Sequence, residues 1–196
     1  MSTIELCQNP IEQLRLWYDE AQQRCEHADV VALATASADA VPSVRMVNFK
    51  GWRGECLSFY TNYESRKGNQ LAENPRAAML FHWPALKKQV QIEGTCSRMS
   101  VADSQAYFAT RDREVQLSAH MSQQSRVLES FTYMDKRIEA LREQFCSQPI
   151  PCPPYWGGYL LDPQRIEFRI GRELRRHWRW EYVRTGSGWQ NRKLYP

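Results

Sequence analysis

Alternation of apolar and polar residues predicts β-strands over much of the chain. In the segment 42–49, residues 44, 46 and 48 would face one side of a strand and residues 45, 47 and 49 the other. Gly51 to Gly54 turn the chain, and the return strand covers 57–61. Further strands are predicted at 29–37, 76–83, 87–99, 159–170, 176–183 and 188–194. This pattern predicts a mainly β fold with peripheral helices (α+β), built as a small β-barrel.

Helical spacing of apolar residues predicts longer helices at 9–25 and 125–144 and shorter ones at 65–74 and 100–111. Asn9 and Pro10 suit the start of the first helix, and Val127 and Leu128 are expected on the apolar face of the helix 125–144. Residues 112–124 are polar and predicted to be irregular. The prolines in 147–154 indicate a stiff connector. We therefore expect one domain over 1–196, with an N-terminal helical segment (1–26) and C-terminal strands (150–196).

Composition narrows the function classes. A net charge of +4 is compatible with anionic ligands but too small to indicate nucleic-acid binding. The six cysteines form no C-x-x-C pair, so neither a zinc site nor any other metal site is expected. The longest apolar run, 30–38, is too short to span a bilayer, and no secretion signal is evident. These features predict a cytoplasmic protein with free thiols.

A first candidate site lies at the predicted start of the helix 65–74. Ser65 stands at the N-cap position, and Arg66 and Lys67 follow it directly. Free backbone N–H groups at a helix N-terminus attract anions, and Arg45 and Lys50 on the neighbouring strand could reach the same anion. The alternative is that these cations are simply solvated.

Two further patterns carry basic side chains. Tyr107 and Arg111 are four residues apart and share a helical face, either to grip a phosphate or as a surface cation resting on a ring. Arg175, His177 and Arg179 alternate, which predicts one face of a strand. That face would bind an anion or an electron-rich ring, or would be a solvent-facing edge protected by charge.

Several motifs together resemble the pyridoxamine 5'-phosphate oxidase family, from Asn9 to Pro196. The resemblance implies a homodimeric FMN-binding split β-barrel with FMN in a cleft between subunits. The most specific motif is the run that begins at Phe59. The motifs are Arg45-Met-Val-Asn-Phe-Lys-Gly, Phe59-Tyr-Thr-Asn-Tyr-Glu-Ser-Arg-Lys-Gly, Phe81-His-Trp-Pro, Gln89-Val-Gln-Ile-Glu-Gly, Tyr107-Phe-Ala-Thr-Arg, Trp156-Gly-Gly-Tyr, Ile166-Glu-Phe and Arg175-x-His177-x-Arg179.

The resemblance also implies a role for each candidate residue. Lys50, Tyr107 and Arg111 would hold the substrate phosphate, while Arg175 and His177 would lie over the pyridine ring as substrate-binding and catalytic residues. Gln89 would meet the flavin ring, and Gln124, Ser125 and Arg179 would reach FMN from the partner subunit. The remaining FMN-binding residues would be Arg45, Met46, Val47, Lys50, Tyr60, Thr61, Ser65, Arg66, Lys67 and Arg169.

The implied activity is FMN-dependent oxidation of pyridoxamine or pyridoxine 5'-phosphate to pyridoxal 5'-phosphate, with O2 as acceptor and H2O2 as product. Four positions depart from the family pattern. Val115 replaces a phosphate-binding serine, Arg169 a flavin-contacting tryptophan, Asn48 an aliphatic residue and His120 an aromatic one. These departures leave two alternatives: a sister flavin oxidase with another ring substrate, as in phenazine biosynthesis, or a flavin- or pyridoxal-phosphate-binding protein without turnover.

Overall fold

A computed structural model describes residues 5–196, and residues 1–4 of the expected N-terminal segment lie outside it. The fold is mainly β, with helices at its periphery, as the sequence pattern predicts. The helices are α1 (Pro10–Arg24), α2 (Arg66–Glu73), α3 (Val101–Ala109), α4 (Arg113–Met121) and α5 (Phe131–Gln144). The strands are β1 (Val30–Ala36), β2 (Pro42–Asn48), β3 (Trp52–Arg53), β4 (Cys56–Asn62), β5 (Arg76–Trp83), β6 (Lys88–Arg98), β7 (Trp156–Ile170), β8 (Trp178–Thr185) and β9 (Gly188–Leu194).

The strands form one antiparallel sheet in the order β2-β1-β5-β6-β7-β4-β3, with β8 added to β7 and β9 to β8. The long strand β7 pairs with β4 through residues 156–161 and with β8 through residues 165–170. Its pairing with β6 shifts register between Glu93 and Gly94. A Cβ on Gly94 would lie 2.0 Å from the Asp162 carbonyl oxygen, so this bulge requires glycine.

The main core lies between the curved sheet and α1. Helix α1 starts as predicted, with the Asn9 side chain accepting a hydrogen bond from the Ile11 N–H group and with Pro10 at its first position. Trp17 of α1 packs edge-on against Phe168 of β7, with ring centroids 5.1 Å apart. This face of α1 is apolar because it covers one end of the barrel.

A second, smaller cluster joins α3, α4 and the segments around α5 to the start of β7. Its buried members are Phe108, Leu117, Phe145, Ile150 and Trp156. The cluster holds α3 and α4 against the end of β7. It therefore fixes one wall of the cavity described below.

Three local predictions are wrong. Residues 113–121 form α4, although 112–124 is predicted to be irregular. Helix α5 begins only at Phe131, and Val127, expected on its apolar face, precedes it and is fully exposed. Strand β8 begins at Trp178, and Arg175 ends the short 3-10 helix Glu173–Arg175 before it, with φ +58°. Arg175, His177 and Arg179 therefore do not share one strand face.

Each helix of the described chain is also too short or too polar to cross a lipid bilayer.

Candidate functional site

The start of helix α2 is built by Ser65. The Ser65 hydroxyl is fully buried, donates to the Asn62 carbonyl oxygen at 2.7 Å and accepts from the Gly68 N–H group at 3.3 Å. The Ser65 hydroxyl thus caps the helix and positions the two cations that follow it, while the contact of Ser65 with the cofactor stays a prediction.

Lys67 is a buried cation on the first turn of α2. The residue is only 8% exposed. Its Nζ atom donates to Thr61 Oγ1 at 3.0 Å and to Gln124 Oε1 at 2.9 Å. Burial, and then the nearby Arg45, lower the pKa of Lys67 to about 8. Hydrogen bonds satisfy this ammonium group, but no carboxylate in the described chain pairs with it.

Arg45 lies beside Lys67 on β2. Its guanidinium donates to Thr35 Oγ1 at 2.7 Å and to Ser43 Oγ at 2.5 Å, which ties β2 to β1. Burial, and then repulsion from Arg66, lower the pKa of Arg45. Arg45, Arg66 and Lys67 thus form a cation cluster at a helix N-terminus, and among residues 5–196 none of the three pairs with an acid. Such a cluster is suited to a phosphate group.

A cavity of about 470 Å³ opens next to this cluster, between β2, β4 and the helices α3 and α4. It brings together nine of the residues predicted from the sequence: Met46, Val47, Lys50, Tyr60, Thr61, Lys67, Tyr107, Arg111 and Gln124. Two positions that depart from the family pattern, Asn48 and Val115, also line it. Arg66 faces an adjoining cavity of about 480 Å³, which shares Gln124 with the first.

Aromatic rings stack along one wall of the cavity. The Tyr60 ring lies 3.9 Å from the Tyr107 ring and 5.4 Å from the Trp156 ring, measured between centroids. Arg111 places its guanidinium 4.5 Å above Trp156, and burial lowers its pKa. Its Nη1 atom and the Tyr60 hydroxyl are buried and have no hydrogen-bond partner among residues 5–196. Orphaned buried donors of this kind are ready to bind an acidic ligand.

Tyr107 and Arg111 therefore face one cavity, although Arg111 lies just beyond the end of α3 at Ala109. Lys50 also lines this cavity, and its Nζ atom lies 3.4 Å from Asp29 Oδ2. These three residues form a second cationic region, separate along the sequence from the cluster at α2. As the alternative expects, the Arg111 guanidinium rests on an aromatic ring, but that ring, Trp156, is buried and Arg111 also lines the cavity.

Gln124 and Ser125 lie beside the cation cluster of their own chain. Gln124 contacts Thr61 and Lys67 of that chain. Ser125 has φ +75° and lines the adjoining cavity of Arg66. The segment between α4 and α5 thus folds back over the N-terminus of α2, and the contact of these two residues with the FMN of a partner subunit stays a prediction.

The remaining candidates lie together on β6, β7, β8 and the segment before β8, and they do not line the 470 Å³ cavity. Gln89 is opposite Arg169 in the β6–β7 pairing, and Arg169 is opposite Arg179 in the β7–β8 pairing. Arg179 donates twice to the Glu167 carboxylate, at 2.8 and 2.9 Å. We call Gln89, Arg169, Arg175, His177 and Arg179 the C-terminal cluster.

His177 in the C-terminal cluster accepts a hydrogen bond at Nδ1 from the Arg172 N–H group, at 3.1 Å. Partial desolvation, and then the charges of Arg169 and Arg175, lower its pKa. The imidazole is therefore neutral at neutral pH.

Sequence reasoning missed six residues that line the cavity: Asn62, Ser118, Ala119, Met121, Ser122 and Trp156. Four of them belong to α4 or to its C-cap, and they were missed because α4 was predicted to be irregular. A signal was present, since Asp112 stands at the N-cap position, Glu114 in the first turn and His120 in the last.

Comparison with known proteins gives the site its context. Residues 18–145 match the family model described as pyridoxamine 5'-phosphate oxidase. The chain belongs to the pyridoxamine 5'-phosphate oxidase family. Residues 156–196 match the model of the pyridoxine 5'-phosphate oxidase C-terminal dimerisation region. This region contains every member of the C-terminal cluster except Gln89.

Relatives in the family match over nearly the whole chain. A pyridoxine/pyridoxamine 5'-phosphate oxidase of Rubrobacter xylanophilus is 44% identical over 96% of this chain and 87% of its own length. One of Coxiella burnetii is 41% identical over 100% of both chains. Among solved structures, PhzG from Burkholderia lata, in complex with tetrahydrophenazine-1-carboxylic acid, has a TM-score of 0.91 at 27% identity and covers 97% of this chain and 94% of its own.

Proposed function

We propose that this protein is an FMN-dependent oxidase that converts pyridoxamine or pyridoxine 5'-phosphate into pyridoxal 5'-phosphate, with O2 as acceptor and H2O2 as product. With pyridoxamine 5'-phosphate, the reaction also consumes water and releases ammonia. The observation that carries the proposal is the pair of separate cationic regions beside one cavity. In one region Lys67 lines the cavity, with Arg66 at the adjoining cavity and Arg45 near both, and in the other Lys50 and Arg111 line the cavity. A reaction between two phosphorylated molecules needs two such regions.

The residues at α2 fit the phosphate of FMN. They supply a buried ammonium, two guanidinium groups and the free N–H groups of a helix N-terminus, with no paired acid in the described chain. Met46, Val47 and Thr61 then line the space beside the phosphate. Bound FMN would supply the redox chemistry, accepting a hydride from the C4' carbon of the substrate and passing electrons to O2.

The second region fits the substrate phosphate. Lys50, Tyr107 and Arg111 offer two cations and a hydroxyl, and the unpartnered Arg111 Nη1 atom is already desolvated. Because desolvation is largely complete before the ligand arrives, a charge-assisted hydrogen bond there is strong. The Trp156 and Phe108 rings hold the Arg111 guanidinium, whose carbon lies 4.5 and 5.6 Å from their centroids.

The C-terminal cluster supplies the catalytic residues in this proposal. Two subunits would form a homodimer in which Arg175 and His177 of one chain reach the cavity of the other. His177, neutral at neutral pH, can accept a proton from the substrate, and Arg175 can orient the pyridine ring. Arg169, Arg179 and Gln89 would contact FMN from the same side, and a cation there stabilises negative charge on the reduced ring.

A direct test loads the purified protein with FMN and supplies pyridoxine or pyridoxamine 5'-phosphate in air. We expect pyridoxal 5'-phosphate and H2O2 in equal amounts. If neither substrate yields these products, the proposal is refuted. We also propose a cytoplasmic location, because all six cysteines are free thiols.

A second candidate function is oxidation of a different ring substrate. The observation in its favour is the similarity to PhzG, whose structure holds tetrahydrophenazine-1-carboxylic acid. That ligand carries no phosphate, whereas the Lys50 and Arg111 region suits one. Comparing the two substrate classes at equal concentration separates the candidates, since this alternative requires faster oxidation of the tricyclic acid.

A further inference from the structure

Helix α4 presents a single face to the cavity. Leu117 is buried in the cluster around Phe108, and Gln116 Nε2 donates to the Phe108 carbonyl oxygen at 2.9 Å. These contacts fix the rotation of α4 about its axis. Besides Met121, four residues of α4 and its C-cap line the cavity and are spaced at i, i+3, i+4 and i+7: Val115, Ser118, Ala119 and Ser122.

The stripe formed by these four residues begins four positions after Arg111. Arg111 belongs to the region proposed to bind the substrate phosphate. Val115 comes first along α4 and is 40% exposed, but its two methyl groups cannot donate a hydrogen bond. Ser118 is its neighbour one turn further on the same face. The first hydroxyl on this wall beyond Arg111 is therefore that of Ser118.

The Ser118 hydroxyl is available to a ligand. In the structure it donates to the Glu114 carbonyl oxygen at 2.8 Å, within its own helix. A serine back-bond of this kind contributes little to helix stability, so rotation about the Cα–Cβ bond can redirect the hydroxyl at small cost. A phosphate oxygen is a stronger acceptor than a peptide carbonyl, because it carries charge.

We propose that Ser118 donates a hydrogen bond to the substrate phosphate and supplies the contact that Val115 cannot make. The inference rests on the proposed function, because it takes the ligand of Lys50, Tyr107 and Arg111 to be a phosphate. It makes Ser118 a specificity residue that favours phosphorylated over unphosphorylated ligands. Ser118 takes no part in the oxidation itself.

The test measures binding, so that it does not depend on turnover. Calorimetric titration of the FMN-loaded protein with pyridoxal 5'-phosphate and with pyridoxal compares the wild type with Ser118→Ala. We expect the variant to bind pyridoxal 5'-phosphate about tenfold more weakly and pyridoxal equally well. With pyridoxine 5'-phosphate as substrate, KM should rise by a similar factor, with kcat changed less than twofold.

Two further variants serve as controls. Ser97→Ala removes an exposed hydroxyl on β6, away from the cavity, and should leave binding unchanged. The double variant Val115→Ser, Ser118→Ala returns a hydroxyl to the stripe and should recover part of the lost affinity for pyridoxal 5'-phosphate. Thermal unfolding of each variant shows whether α4 remains folded.

Binding of pyridoxal 5'-phosphate within twofold of wild type in Ser118→Ala would overturn the inference. Equal weakening of pyridoxal binding would also overturn it, because the role would then be structural. A wild-type protein that binds pyridoxal 5'-phosphate but oxidises neither substrate would refute the proposed function and leave the Ser118 comparison intact. A wild-type protein that binds no pyridoxal 5'-phosphate would refute both.

Discussion

Lys67 and Gln124 are hydrogen bonded, with the Lys67 Nζ atom 2.9 Å from Gln124 Oε1. The contact joins the first turn of α2 to the segment that follows α4. Gln124 also accepts from Thr61 Oγ1 at 3.2 Å, so one amide oxygen ties a strand and a helix terminus to this segment. It satisfies a buried ammonium without neutralising its charge, which leaves the charge available to an anion.

Replacing Lys67 tests the anion site. Lys67→Met should weaken FMN binding by about tenfold to a hundredfold, because it removes one charge-assisted contact to the phosphate. Riboflavin, which lacks the phosphate, should bind the variant as well as it binds the wild type. Quenching of flavin fluorescence on titration measures both affinities.

The same substitution should make the FMN-free protein more stable, because it removes an unpaired buried charge. Lys136→Met, on the exposed side of α5, is the matched control and should change neither affinity nor stability. Equal loss of FMN and riboflavin binding in Lys67→Met would contradict a phosphate site at this position.

The pH dependence of FMN binding follows from the lowered pKa of Lys67. In the FMN-free protein this pKa is about 8, so the side chain loses its proton as the pH rises through that value. A bound phosphate stabilises the protonated form, so that binding takes up a proton above pH 8. Between pH 7 and 9 the affinity should therefore fall, approaching about tenfold per pH unit at the upper end. Riboflavin titrated over the same range should show a flat profile.

Folding stability provides a second pH test of Lys67. Its pKa of about 8 in the folded protein is below the ordinary value of 10.5, so the unfolded chain binds more protons between these values. The free energy of unfolding of the FMN-free protein should therefore rise with pH through this window, as far as Lys67 contributes. Denaturant titrations of the wild type and Lys67→Met at several pH values give this contribution as a difference in unfolding free energy. If this free energy changes equally with pH in the two proteins, the prediction is contradicted.

Gly157 shows how closely the strand that carries Trp156 is packed. A Cβ on Gly157 would lie 2.1 Å from Tyr63 Oη and 2.8 Å from Ser104 Oγ. Gly157→Ala should therefore lower stability by about 1–3 kcal/mol. At Gly186 no atom of the described chain lies within 4 Å of the new Cβ, so Gly186→Ala should stay within about 0.5 kcal/mol of wild type. Thermal melts of the two variants measure the difference, and equal melting temperatures would contradict the packing argument.

Mixed dimers test whether two chains share each site. Arg111→Ala disables the cavity of a chain, and His177→Ala disables the C-terminal cluster that it offers to its partner. Each variant alone should be inactive. After denaturation and refolding of an equal mixture, half of the dimers carry both variants and each of these has one intact site. About a quarter of the wild-type activity should then return, whereas recovery of none would show that each chain uses its own His177.

The sequence predicts the barrel well, because strand alternation is a local signal that burial on one face reinforces. The cation cluster was predictable for the same reason, since a serine N-cap followed by two cations lies in consecutive residues. Helix α4 was missed because most residues of 112–124 are polar, which suggests an irregular segment. Its helical state is set instead by packing of Leu117 against Phe108 and Trp156, which is a tertiary contact.

The prediction that Arg175, His177 and Arg179 share one strand face is wrong for another reason. Arg175 and His177 were assigned to a strand by their spacing, but Leu174 and Arg175 adopt positive φ values of 54° and 58°. Residues other than glycine rarely adopt this conformation, and no local pattern announces it. The contacts of Gln124 with Thr61 and Lys67 were not predictable either, because the sequence does not show over which element a connecting segment folds.

The most direct test of the oxidase assignment is an anaerobic titration of the FMN-loaded protein with pyridoxine 5'-phosphate, followed by absorption spectroscopy. We predict that the yellow flavin absorption bleaches in proportion to the substrate added, that one pyridoxal 5'-phosphate forms per flavin reduced, and that admitting air restores the colour. A flavin spectrum that stays oxidised with saturating pyridoxine and pyridoxamine 5'-phosphates would contradict the assignment and leave a protein that binds these molecules without turnover.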